Sequence, residues 1–108
     1  MKDLDPDKIE AAIGYRLKTT FFSDFSIAEP YGESAIRDTY DRAFENWHTD
    51  VTYMTELVMI LNWKIWQHHE ENNPALVDLY TELWETADHW CLDNLKGDDL
   101  SYFLSTTD

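Results

Sequence analysis

The chain has 108 residues, with 22 Asp plus Glu against 8 Lys plus Arg, giving a formal net charge of −14. This length suits one domain, so we expect a single helical domain over residues 1–108. A hydrophobic share of 44% and an aromatic share of 15% exclude wholesale disorder. Three Gly, three Pro and no hairpin signal favour helices over sheet. We predict an all-α bundle of three main helices, with a long central helix and a short C-terminal helical turn.

The negative charge is concentrated in the second part of the chain. Residues 1–43 hold nine acids and six bases, a net of −3, whereas residues 44–108 hold thirteen acids and two bases, a net of −11. Such a balance argues against direct binding to nucleic acid and against attachment to an anionic membrane. A basic protein partner fits the charge better.

The cysteine content and the apolar runs predict a cytoplasmic protein. The single cysteine, Cys91, has no partner for an intramolecular disulfide, and we expect it to be a small core residue. The start, MKDLDPDK, lacks the apolar core of a signal peptide. The longest uncharged run in the apolar centre, Leu57 to Trp63, is too short to span a bilayer.

The N-terminal third of the sequence predicts one helix followed by an apolar loop. Asp5 is a candidate N-cap for an amphipathic helix over Pro6–Thr19. Its apolar positions at helical spacing are Ile9, Ala12, Ile13 and Leu17. Residues 20–33 break this period, and we expect a loop whose aromatic side chains plug one end of the core. A peptide-binding lip is the functional alternative for this loop.

A long helical pattern extends over Ser34–Glu70. Its apolar stripe consists of Ile36, Tyr40, Ala43, Trp47, Val51, Met54, Val58, Leu61 and Ile65. A kink or break is expected at residues 48–50, where Thr49 or Asp50 could cap a new start; the pattern leaves continuity open. The segment Met54–Trp66 is apolar on two sides, so we place it at the centre of the bundle.

A third main helix is predicted to begin at Pro74 with Asn73 as its cap. Its broad apolar face consists of Leu76, Leu79, Tyr80, Leu83, Ala87, Trp90 and Cys91. Gly97 occupies the position expected for a C-terminal Schellman glycine. Asp98 or Asp99 could then cap a short last turn that packs its apolar residues, Leu100, Tyr102, Phe103 and Leu104, on the bundle.

Two patterns that resemble metal sites are incomplete. Glu45 and His48 have the Glu-x-x-His spacing of four-helix di-iron proteins, but those sites need a second such pair, which the sequence lacks. We therefore favour a solvated face for this pair. His68 and His69 end the long helical pattern, where histidine meets the negative end of the helix dipole.

The spacing of Glu82, Glu85 and Asp88 resembles half of the magnesium-binding pattern of all-α nucleotide pyrophosphohydrolases of the MazG kind. The resemblance covers seven residues and implies a metal-dependent hydrolase. That family needs a second acidic pair on the preceding helix, whereas Asn73 stands at the matching position after Glu70. We predict no catalytic residue, no metal ligand and no cofactor.

The third helix also carries an acidic row, formed by Asp78, Glu82, Glu85 and Asp93. At 100° per residue these side chains fall within a sector of about 80°, opposite the apolar face. No Lys or Arg four residues further along neutralises them. Their rises of about 6, 4.5 and 12 Å make a line of charge comparable in density to one phosphate strand. An outer face that only keeps the protein soluble is the alternative interpretation.

The runs LVMILNWKIW and LKGDDLSYFLSTTD resemble small acidic helical proteins carried by phages and conjugative elements of Gram-positive bacteria. In charge and size the chain is also similar to the nucleic-acid-mimicking inhibitors that such elements use against restriction or CRISPR systems. This resemblance implies a protein that blocks a basic site on a DNA- or RNA-binding protein. It carries no residue roles over to this chain.

The leading functional hypothesis is a non-enzymatic acidic binding protein. The residues expected to bind the basic partner are Asp78, Glu82, Glu85 and Asp93, with Glu70 and Glu71 at the adjoining turn. A self-associating interaction module, such as a homodimer, is the first alternative, because short helices can leave part of the two-sided apolar segment uncovered. A metal-dependent nucleotide hydrolase is the second.

Overall fold

The computed structural model describes residues 21–107, which form five α-helices and no β-strand. The helices are α1 (Phe21–Ala28), α2 (Glu33–Trp47), α3 (Val51–Glu70), α4 (Pro74–Asn94) and α5 (Gly97–Thr107), and a 3-10 turn (Glu29–Tyr31) joins α1 to α2. The expected all-α bundle is confirmed. The helix predicted over Pro6–Thr19, with its Asp5 cap, lies outside the described residues.

Residues 20–33 were expected to be a loop, and this prediction is wrong for the part that is described. Phe21, Phe25 and Ala28 are buried on one side of α1, at the spacing of a helix that packs on a core. Ile27 falls between the polar residues Ser23 and Asp24 of the outer side, so the apolar and polar sides of this short helix are poorly separated in the sequence. The expectation that aromatic side chains of this segment fill the core is correct.

The long helical pattern is divided into α2 and α3 at the expected place. Residues 48–50 separate the two helices, and Asp50 is the N-cap of α3. Its side-chain Oδ1 accepts hydrogen bonds from the backbone N–H of Thr52 at 2.9 Å and of Tyr53 at 3.2 Å. The cap provides an acceptor for backbone N–H groups that the start of a helix leaves without intrahelical partners. A new helix can therefore begin at this point, and the apolar stripe continues along it.

Helix α3 is the centre of the bundle. Its fully buried apolar side chains, Met54, Leu57, Ile60 and Leu61, face the other helices. The most extensive packing is between α3 and α4, and α5 also contacts α3. Met59 and Trp63, on the second apolar side, are therefore partly buried, while Trp66 near the end of the helix remains 47% exposed.

The turn between α3 and α4 follows the expected capping pattern. Asn72 has a φ of 57° and closes α3, and the Asn73 side chain accepts a hydrogen bond from Leu76 N at 3.3 Å. Pro74 is the first residue of α4, where its missing N–H costs no hydrogen bond. This tight connection makes α3 and α4 neighbours in the bundle.

The C-terminal part differs from the prediction in two respects. Leu95, in an extended conformation, caps α4, and Gly97 with a φ of 57° begins α5 instead of ending α4. The expected short turn is an 11-residue helix. Phe103 is 1% exposed and anchors α5, Leu100 and Tyr102 are half-buried, and Leu104 is 41% exposed.

No helix within residues 21–107 combines the length and the apolar character that a membrane span needs.

Candidate acidic binding surface

The acidic row lies on the outer side of α4 because the inner side is apolar. Leu79, Leu83, Ala87 and Cys91 are buried against the bundle at spacings of four residues. All members of the row, Asp78, Glu82, Glu85 and Asp93, are exposed. The structure thus places the predicted residues together on one solvent-facing surface of a rigid helix.

One member of the row is neutralised by a base from another helix. Arg37 of α2 donates from Nη1 to Glu82 Oε2 at 2.6 Å and from Nε to Glu33 Oε2 at 2.8 Å. The hydrogen bond from Arg37 and its positive charge lower the pKa of Glu82, and the hydrogen bonds to Glu82 and Glu33 with their negative charges raise the pKa of Arg37. Because Arg37 lies on α2, the bases of α4 alone could not predict this pair. The side chains of Asp78, Glu85 and Asp93 form no ion pair or hydrogen bond with another residue in the described part of the chain.

The two glutamates predicted to extend the row both have partners within the chain. Glu70 and Glu71 are both exposed at the end of α3, next to the turn into α4. Glu71 Oε1 lies 2.9 Å from His68 Nδ1, so this carboxylate already has an internal partner. The surface available to a partner is therefore dominated by Asp78, Glu85 and Asp93.

A buried polar cluster, which the sequence did not predict, lies around Glu29. Glu29 Oε2 accepts from Tyr80 Oη at 2.7 Å and from His68 Nε2 at 2.9 Å, and it is 3.1 Å from Lys64 Nζ. Lys64 is fully buried; it donates to Ser26 Oγ at 2.7 Å, and its Nζ lies 4.4 Å from the centroid of the Phe22 ring. We call Glu29, Lys64, His68 and Tyr80 the Glu29 cluster.

The pKa shifts of Glu29 and His68 favour their charged forms, whereas that of Lys64 has the opposite sign. Burial alone would raise the pKa of Glu29, but its hydrogen bonds from His68 and Tyr80 and the charge of Lys64 lower it to about 2. Burial would lower the pKa of His68, yet Glu29 and Glu71 raise it. Burial lowers the pKa of Lys64, with Glu29 opposing this effect. Because both ring nitrogens of His68 face carboxylates, the doubly protonated imidazolium is favoured.

The geometry of the Glu29 cluster indicates a structural role, which is to hold neighbouring elements together. It joins the 3-10 turn to α3 and α4, and the His68 ring also stacks on Tyr80 with centroids 5.5 Å apart. One sequence signal could have revealed it: Lys64 and His68 continue the buried stripe of Leu57 and Leu61 along α3. The dipole argument made for His68 does not account for its burial.

Within residues 21–107, the other candidate sites do not bring catalytic or metal-binding side chains together. His48 Nδ1 lies 2.9 Å from the backbone oxygen of Phe44, and Glu45 is exposed. No group of three or more His, Cys, Asp or Glu side chains suited to a metal ion occurs among residues 21–107. Cys91 is fully buried, and burial raises the pKa of its thiol to about 12. It is a core residue, as expected.

Two cavities open on the described surface. The larger cavity, of about 500 Å³, lies between α1 and α2. It is lined in part by the exposed side chains of Ile27 and Tyr31, which belong to the segment for which a peptide-binding lip is the alternative prediction. The narrower, of about 320 Å³, lies between α3, α4 and α5, where Trp63, Trp84 and Asp88 form part of the wall. We call this second space the indole cavity.

Comparison of the chain with protein-family models, with curated proteins and with solved structures finds no match.

Proposed function

We propose that this chain is a non-enzymatic acidic binding protein of the cytoplasm, whose acidic row occupies a basic site on a DNA- or RNA-binding protein. The observation that carries the proposal is the exposure of Asp78, Glu85 and Asp93 on one helix face, without ion pairs to other described residues. A surface that served folding alone would normally pair such charges with nearby bases.

The proposed mechanism is competition with a nucleic-acid backbone. Between Asp78 and Asp93 the three carboxylates that Arg37 does not neutralise rise about 11 Å on average, roughly three times the 3.4 Å rise per phosphate of one DNA strand. The row thus offers a phosphate-like field at about a third of the density, lower than the spacing of all four carboxylates predicts, on a scaffold that loses little entropy on binding. The net charge of −14 adds a long-range attraction that speeds encounter with a basic surface and weakens with salt.

Capture of partners by matched variants tests the proposal. The row variant carries Asp78→Asn, Glu85→Gln and Asp93→Asn; the control variant carries Asp38→Asn, Asp41→Asn and Glu45→Gln. The control residues are exposed on one face of α2, and each variant changes the net charge from −14 to −11. Both are immobilised beside the unmodified protein, exposed to a lysate of the source organism, and washed with rising salt.

The expected result is a DNA- or RNA-binding protein that is retained by the unmodified protein and the control variant, lost from the row variant, and released at moderate salt. Equal retention by all three proteins would mean that the row does not bind the partner, and an equal loss from both variants would mean that net charge alone decides binding; either result would contradict the proposal. Retention that does not depend on the salt concentration would also contradict the proposal. So would retention of proteins that have no nucleic-acid-binding surface.

Self-association is a second candidate because large apolar side chains remain exposed. Trp66, Leu92 and Leu104 are 47%, 45% and 41% exposed, and Leu92 and Leu104 border the same cavity. A dimer through this surface would change the sedimentation coefficient with protein concentration, and Leu92→Ser with Leu104→Ser would abolish the change. A concentration-independent monomer would eliminate this candidate.

A further inference from the structure

The indole cavity combines apolar walls with one carboxylate. Helix α3 supplies Trp63 and Asn62, α4 supplies Trp84 and Asp88, and α5 closes the space with side chains that include Thr107. Both tryptophans are partly buried, so their rings are held by packing while part of each remains accessible. A volume of about 320 Å³ is at the lower end of the range for ligand sites.

Asp88 is the chemically unusual part of the wall. It is half-buried, and it forms no hydrogen bond or ion pair with another residue within 21–107. Burial raises its pKa, with the charge of His89 opposing this effect. A partly desolvated carboxylate without a partner is costly, and a cation entering the cavity would relieve that cost.

We propose that the indole cavity receives an arginine side chain of the protein partner, with the guanidinium paired to Asp88 and stacked against the indole rings of Trp63 and Trp84. This inference rests on the proposed function, because it presumes a basic protein partner. It deepens that function by assigning an anchoring site beside the acidic row.

The chemistry of the cavity selects arginine among possible occupants. A planar guanidinium binds a carboxylate through two parallel hydrogen bonds and stacks on an aromatic face. The side-chain oxygens of Asn62 and Thr107 can accept its remaining donors. An anion would be repelled by Asp88, and an apolar side chain would leave that carboxylate desolvated and unpaired. Lysine has the charge but not the planar fork.

The position of the cavity suits a partner that also contacts the row. Trp84, Asp88 and Leu92 are spaced by four residues and line one flank of α4. Glu85 and Asp93 each follow one residue later, about 100° further round the helix. One arginine in the cavity would therefore place neighbouring basic groups of the partner along the row. Such an aromatic-lined anchor at a charged surface is typical of positions that dominate binding energy.

The test is a titration that measures peptide binding to the cavity in the absence of the protein partner. The peptide acetyl-Gly-Arg-Gly-amide is added to the full ¹⁵N-labelled chain, and the indole N–H signals of Trp63 and Trp84 are followed by NMR, assigned through single Trp→Phe variants. We expect these signals to shift and that of Trp47, a wall residue of the other cavity, to stay unchanged. Peptides with lysine or norleucine in place of arginine should bind at least fivefold more weakly.

Two substitutions with the same change in net charge complete the test. Asp88→Asn should weaken arginine-peptide binding at least fivefold, whereas Glu45→Gln, at an exposed position of α2 away from the cavity and the row, should change it less than twofold. Neither replaces a core side chain, so both variants should fold, which the dispersion of their spectra verifies. Equal binding of the norleucine or lysine peptide, or no effect of Asp88→Asn, would overturn the inference.

The outcome separates this inference from the proposed function. If the arginine peptide does not bind the cavity while partner capture still depends on the row, the inference alone fails. If the peptide binds through Asp88 while the row variant captures partners as well as the unmodified protein does, the proposed function fails.

Discussion

At the scale of single residues, Glu29 organises the most highly charged part of the interior. Its Oε2 atom is within 3.1 Å of donors on Lys64, His68 and Tyr80. A buried ion pair gains little over an apolar core of the same shape, but removing one partner leaves a desolvated charge. The Glu29 cluster therefore fixes how the 3-10 turn, α3 and α4 pack together. The sequence could not reveal the Glu29–Lys64 pair, since 35 residues separate its members and neither position is marked by a motif.

Replacement of Glu29 by glutamine tests this role directly. Glu29→Gln keeps the size of the side chain but leaves the Lys64 charge buried without its nearest counter-ion. We expect the free energy of unfolding to fall by about 3 kcal/mol in urea denaturation, the lower end of the range for breaking a buried pair. Glu45→Gln, at an exposed position of α2, should change it by less than about 0.5 kcal/mol. Similar effects of the two substitutions would refute the buried-pair interpretation.

His68 should make stability depend on pH in the neutral range. Its folded-state pKa is raised above the ordinary value of 6.5. Its contribution to stability is therefore fully present below that pH and is lost as pH rises through the folded-state value. As the pH rises from about 6.5 through the folded-state pKa, the unmodified protein should lose stability relative to His68→Gln, which lacks this titrating group. Parallel stability profiles of the two proteins would show that His68 is not held in its charged form.

At the scale of elements, local signals located the starts of α3 and α4, and packing decided the rest. The break at residues 48–50, with a cap at Thr49 or Asp50, and the Asn73–Pro74 start could be predicted because capping chemistry is local. Helix α1 was missed because it is short and its apolar residues are not confined to one side. Gly97 was assigned to the wrong helix, because a positive φ is required both at helix ends and at other turns.

The Asp50 cap contributes a measurable part of the stability of α3. Asp50→Ala removes the acceptor of two backbone hydrogen bonds, and we expect a loss of about 1 kcal/mol in the free energy of unfolding. Thr49→Ala, one residue earlier and outside both helices, should have almost no effect. A loss from Thr49→Ala as large as that from Asp50→Ala, or larger, would contradict the assignment of the cap to Asp50.

Helix α5 is predicted to be an integral part of the bundle. Phe103→Ala removes a side chain that is 1% exposed, and large-to-small changes of this kind cost about 3–5 kcal/mol. Leu104→Ala, at a position that is 41% exposed, should cost less than about 1 kcal/mol. Thermal or urea unfolding of the two variants distinguishes a docked helix from a loosely attached C-terminal segment, for which both costs would be small.

At the scale of the whole molecule, an apolar centre carries a highly acidic exterior. Helices α3 and α4 together supply most of the buried apolar side chains of the described residues, and this core lets a chain with a net charge of −14 fold despite its self-repulsion. Fold class could be predicted because helical periodicity extends over most of the chain. The composition of the binding surface was predictable only in part, since neutralisation of Glu82 by Arg37 depends on how α2 packs beside α4.

The central claim, that the acidic row takes the place of a nucleic acid, is tested most directly by competition. The nucleic-acid-binding protein obtained by capture is loaded with a fluorescent oligonucleotide, and fluorescence anisotropy is followed as the unmodified protein, the row variant or the control variant is added. We predict full displacement by the unmodified protein and by the control variant, with at least tenfold more of the row variant needed. A ternary complex in which the oligonucleotide stays bound, or equal displacement by the row variant, would contradict the claim.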